Sequence, residues 1–127
     1  MNEYKIGIDL GGTNIVAGVV DKEFNIIARA ECKTAIPRPE SEVCDSMAEI
    51  VREAIARANL TMDDIAHIGI GVPGAVNPET RIVETCPNLR FQNWEISKML
   101  EERLHKYVKI ENDANAAAWG EFLAGSA

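Results

Sequence analysis

The sequence predicts an α/β domain built on a mixed five-stranded sheet, in the order βββαβαβα, with helices flanking it. Three observations carry this expectation. The first 33 residues hold three strand-like segments joined by short connections, the pattern of an antiparallel meander. Apolar residues then recur at helical spacing from Val43 to Ala58. Near the C-terminus, the alternating Tyr107-Val108-Lys109-Ile110 runs into the alanine-rich Ala114-Asn115-Ala116-Ala117-Ala118, which has the highest helix propensity in the chain.

Taken in order, Tyr4-Lys5-Ile6-Gly7-Ile8-Asp9 alternates as a strand and runs straight into Gly11-Gly12. Asn14 to Val20 is a second strand, supplied with β-branched side chains by Ile15, Val16, Val19 and Val20. Asp21-Lys22-Glu23 reads as a tight turn, and Phe24 to Lys33 as a third strand. Pro37-Arg38-Pro39 marks a loop, beyond which Val43, Met47, Ile50, Val51, Ala54, Ile55 and Ala58 line one face of a helix. His67 to Val72 follows as a fourth strand, parallel to the first because a helix intervenes, and ends in Pro73-Gly74. Arg81 to Glu84 reads as a short strand of a small hairpin after Asn77-Pro78-Glu79. Ile96, Met99, Leu100 and Leu104 define a second amphipathic helix. A fifth strand at Tyr107–Glu111 and the alanine-rich helix complete a single lobe.

Composition narrows the function. With 127 residues, 46% of them hydrophobic, the chain can build one core. A net charge of −7, with its 13 basic residues scattered, argues against nucleic acid as a partner. No apolar run is long enough to span a bilayer, and no basic segment leads an apolar one at the N-terminus. Neither a membrane nor secretion is therefore expected, and the cytoplasm is the expected compartment. Cys32, Cys44 and Cys86 lack metal-site spacing and read as reduced thiols.

Four segments could carry chemistry. Asp9-Leu10-Gly11-Gly12-Thr13-Asn14 joins two strands, and its paired glycines permit positive φ and leave no Cβ in the way of a bulky ligand. Backbone N–H groups there could approach phosphate oxygens, Thr13 and Asn14 add polar donors, and Asp9 could hold a hydrated Mg²⁺. An ordinary Gly-Gly hairpin gives the same letters. Asn112 and Asp113 stand where the last strand meets the first turn of the final helix, the edge at which open α/β sheets place ligands. The helix dipole there favours an ionised Asp113 suited to accepting a proton, although Asn and Asp are also common N-caps. Gly69-Ile70-Gly71-Val72-Pro73-Gly74 turns at the same edge, and Pro87-Asn88-Leu89 is a third polar loop.

In combination, and together with Trp94, Glu111 and Gly120-Glu121, these segments resemble the ROK family (repressors, open reading frames and kinases). Within it they are most similar to the ATP-dependent glucokinases and related hexose kinases. The resemblance implies an actin-like, ribonuclease-H-like lobe that binds sugar beside nucleotide phosphates. It implies that Asp113 is the general base, that Asn88, Asn112 and the backbone at Gly74 meet the hexose, and that glucose is the favoured sugar. Asp9, Gly11, Gly12, Thr13 and Asn14 are then the first phosphate loop, with Asp9 near Mg²⁺ and ATP as donor. Asn14 takes a position that is commonly Lys in the family, and it brings no charge. The resemblance further implies that residues 1–127 are the N-terminal lobe, with the cysteine-rich zinc motif and the C-terminal lobe beyond Ala127. No zinc is expected in this chain. Low activity alone, and self-association or pairing with the missing lobe, follow from that. Two alternatives are the sugar-sensing lobe of a ROK-type repressor, which would carry a helix-turn-helix ahead of the first strand, and a non-catalytic partner-binding lobe.

Overall fold

Strand β1 (Tyr4–Leu10) is the centre of a five-stranded sheet ordered β3-β2-β1-β4-β8 in a computed structural model that describes residues 4–23, 25–72, 75–77, 79–86 and 91–111. Strands β2 (Asn14–Val20) and β3 (Ile26–Lys33) add antiparallel on one side, giving the expected meander. Strands β4 (Ile65–Gly71) and β8 (Val108–Glu111) add parallel on the other. The turn between β2 and β3 is fastened by Asp21, whose Oδ1 accepts the N–H groups of Glu23 and Asn25, both at 2.9 Å.

Alternation along the strands separates two faces. Ile6, Ile8 and Leu10 of β1 lie beside Ile15, Ala17 and Val19 of β2 and beside Ile68 and Ile70 of β4, and all are buried. Helix α1 (Glu40–Arg57) covers this face with Val43, Met47, Ile50, Val51, Ala54 and Ile55, the stripe its periodicity predicts. Helix α2 (Ile96–Leu104) packs beside α1 and buries Ile96, Leu100 and Leu104. Both parallel crossovers thus carry their helix on one side of the sheet, as right-handed connections stepping in the same direction must. Cys44 lies inside this layer, and burial pushes its thiol up to about 12, so it is inert packing.

The opposite face is bare at its middle. Gly18, Gly7 and Gly69 stand side by side across β2, β1 and β4, all buried.

Beyond β4 the structure departs from the expectation. Strands β5 (Ala75–Asn77), β6 (Ile82–Cys86) and β7 (Phe91–Trp94) form a separate antiparallel sheet of three, where the sequence predicts only a small hairpin. Arg81 sits in the turn at φ 60° rather than in the strand. Its guanidinium grips Glu101 of α2 at 2.9 and 3.4 Å and donates to the Val108 carbonyl at 3.0 Å. The second sheet is thereby tied to the start of β8. Trp94 closes β7 and is fully buried in the core. The alanine-rich helix expected after β8 lies outside the described residues. No helix among those described is long and apolar enough to cross a membrane.

Candidate active site at the end of the parallel strands

The three parallel strands finish in line. Asp9 of β1 is level with Gly71 of β4, and Gly71 is level with Glu111 of β8. A carboxylate-bearing strand end and the entrance to the segment holding Asn112 and Asp113 therefore meet at one sheet edge. Gly71 between them has no side chain to fill the space. Gly74, Asn88, Asn112 and Asp113 themselves lie outside the described residues. Gly74 follows Gly71 by three positions in the chain, and Asp113 follows Glu111 by two.

Asp9 is half-buried, and desolvation raises its pKa. Its carboxylate makes no hydrogen bond or ion pair among the described residues. A partly desolvated anion with no partner among the described residues is the arrangement expected of a group that awaits a cation or a substrate.

The loop beyond it is held from two sides. The Gly11 N–H donates to the Asn14 carbonyl at 3.0 Å and closes the hairpin. Buried Thr34, just past β3, donates its Oγ1 proton to the Gly11 carbonyl at 2.7 Å and its N–H to the Thr13 carbonyl at 2.8 Å. Gly12 and Thr13 are exposed, and their N–H groups donate to nothing among the described residues. Two free amides on a braced loop could meet phosphate oxygens, and the carboxylate beside them could hold Mg²⁺. Asp9 would hold the ion, and Gly12 and Thr13 the phosphate.

The glycines work differently from the expectation. No described glycine has positive φ. Gly11 is required because a Cβ there would stand 2.9 Å from the Asn14 carbonyl oxygen, closer than real Cβ contacts come. The sequence reading missed Thr34, whose bond to Gly11 spans 23 residues and leaves no local signal. Among the described residues no group of three or more His, Cys, Asp or Glu side chains could hold a metal ion.

Comparison with known proteins places this geometry. The ROK family model matches residues 5–127. A glucokinase of Streptomyces coelicolor is 38% identical over 120 residues, covering 94% of this chain and 36% of that protein. A putative xylose repressor of Caldicellulosiruptor sp. is 36% identical over 116 residues, covering 91% of this chain and 29% of that protein. Among solved structures, the ROK hexokinase of Thermus thermophilus superposes with a TM-score of 0.80 at 34% identity, over 93% of this chain and 38% of that one. A ROK family glucokinase of Streptomyces griseus, solved with glucose and AMPPNP, gives 0.79 at 34% identity, over 94% of this chain and 36% of that one. The chain thus spans about a third of the length of these relatives. A family match over nearly every residue, joined to the same mixed sheet, establishes that the chain belongs to the ROK family and has its ribonuclease-H-like, actin-type fold.

Proposed function

We propose that this chain is the N-terminal lobe of an ATP-dependent hexose kinase, with glucose the favoured acceptor. The observation that carries the reading is the alignment of Asp9, Gly71 and Glu111 along one sheet edge. It brings the loop that follows Asp9 and the entrance to the Asn112-Asp113 segment to the same edge of the sheet. Similarity to glucokinases and to a glucose-bound ROK structure supports the choice of sugar.

In this reading Asn88 and Asn112 bind hexose hydroxyls, as does the backbone at Gly74. Asp113 accepts the proton of the attacking hydroxyl as its oxygen bonds to the γ-phosphorus and the bond to the ADP oxygen breaks. The free N–H groups of Gly12 and Thr13, with Thr13 and Asn14 side chains, orient the phosphates. Phosphoryl transfer asks mainly for such positioning. Mg²⁺ held at Asp9 would neutralise phosphate charge.

The test uses the full-length protein that carries this chain, assayed with ATP and a panel of hexoses. Asp113→Asn is expected to lower kcat by on the order of 10²–10⁴-fold while glucose affinity changes little. Asn112→Ala should instead weaken sugar binding. Near-normal turnover in Asp113→Asn would remove Asp113 from the mechanism.

The similarity to a xylose repressor supports a second reading, a sugar-sensing lobe without catalysis. The two separate on one measurement. A sensor binds the sugar but forms no sugar phosphate from ATP.

A further inference from the structure

The loop at the head of β2 is built for an anion yet carries no positive charge of its own. From Ile6 to Asp21 there is no Lys or Arg, and Asp9 contributes a carboxylate. Even with one Mg²⁺ at Asp9, free amides leave part of the charge of a nucleotide's phosphate chain beside that carboxylate uncompensated. The strand register supplies the missing cation.

Lys33, the last residue of β3, is directly opposite Asn14. The bond from Thr34 N–H to the Thr13 carbonyl, 2.8 Å, flanks this pair and makes it one of the non-hydrogen-bonded kind. In such pairs the Cα atoms approach to about 4.5 Å and the side chains lie closest together. Asn14 shares the sheet face of Val16, which is level with Asp9, so Asp9, Asn14 and Lys33 stand on one face. The Thr34 hydroxyl bond to Gly11 fixes the end of β3 against the loop. Lys33 is exposed and forms no hydrogen bond or ion pair among the described residues. The other cations nearby differ. Arg38 donates its Nε proton to the Thr34 carbonyl at 2.9 Å and has its Nη2 buried rather than exposed, and Arg29 lies 3.9 Å from Glu31. Lys5 shares the face but stands at the far end of β1.

We propose that Lys33 is a phosphate-binding residue, its ammonium reaching across Asn14 to the phosphate chain of the nucleotide on the Gly11–Asn14 loop. A lysine suits the role: a compact charge on a flexible stem can follow a phosphate without the fixed geometry an arginine requires. The inference rests on the kinase reading and adds a donor-side contact from outside the loop.

The experiment measures equilibrium binding to the full-length protein, by calorimetry, of MgATP, MgADP and adenosine, and separately of glucose. Lys33→Ala should weaken MgATP and MgADP by roughly tenfold, the effect of one charge-assisted bond near a surface. Adenosine and glucose affinities should stay within twofold. Lys33→Arg should keep most of the affinity, and moving the charge across the pair, Asn14→Lys with Lys33→Ala, should restore it. Unchanged MgADP affinity in Lys33→Ala, or an equal loss for adenosine, overturns the inference while leaving the kinase reading intact. A wild-type protein that binds glucose but no nucleotide overturns both.

Discussion

Gly11 is fixed by the oxygen it faces. An added methyl group 2.9 Å from the Asn14 carbonyl would force the loop open or break the 3.0 Å hydrogen bond that closes it. Gly11→Ala is expected to cost about 1–3 kcal/mol, read as a lower denaturant midpoint with an unchanged slope. Gly12, which is exposed, is expected to tolerate the same change with little loss of stability. Asp9 gives the opposite sign. Burial raises its pKa above 3.8, so the folded state binds its proton more tightly than the unfolded chain does. Its ionised form opposes folding at neutral pH, and that penalty disappears as the pH falls below the ordinary value. Without Mg²⁺, Asp9→Asn should therefore raise the melting temperature at pH 7, and the gain should vanish near pH 3. The same variant of the full-length protein should lose turnover, the expected exchange when a site residue is removed. Asp9 and Gly11 were legible as a possible site because strand, acid and glycines are consecutive. Thr34 and Lys33 were not, since their places depend on a register between strands that local sequence does not reveal.

At the scale of elements, the long periodic segments were the readable ones. The α1 stripe and the β1–β3 meander follow from their 3.6 and 2.0 residue periods. Strand β7 was missed because Phe91-Gln92-Asn93-Trp94 offers only four residues without apolar–polar alternation, and only pairing with β6 makes it a strand. The link between the two sheets was equally hidden. It rests on Arg81, Glu101 and the start of β8, which come together from three elements. The Tyr107 ring, 5.2 Å from the Arg81 guanidinium, completes the cluster. Burial alone would raise the Glu101 pKa, but the Arg81 hydrogen bonds and the Val108 N–H at 2.9 Å outweigh it and hold the carboxyl below 4.5. The pair thus stabilises the fold above that value and ceases to do so as acid protonates Glu101. Arg81→Ala is expected to cost about 1 kcal/mol at pH 7, the lower range suiting a partly exposed pair. The difference from wild type should close near pH 3 in parallel chemical denaturation curves.

For the molecule as a whole, the five-stranded sheet and the edge where its parallel strands end were legible in the sequence, because each crossover helix announced itself. The bracing of the loop at Asp9 and the second sheet were not, since both depend on contacts between distant segments. Under the proposed function, the 127 residues alone should phosphorylate glucose far more slowly than the full-length protein. Closure of two lobes completes such sites and excludes water. A coupled assay comparing the two at equal concentration checks this, and matching rates would show that one lobe suffices. The row of Gly18, Gly7 and Gly69 has a mechanical implication for any such movement. A layer resting there meets only peptide backbone, with no knobs to lift out of holes, so it can glide across the strands along that row with little resistance. Replacing the central glycine with valine would put a ratchet tooth where the fold keeps a polished track.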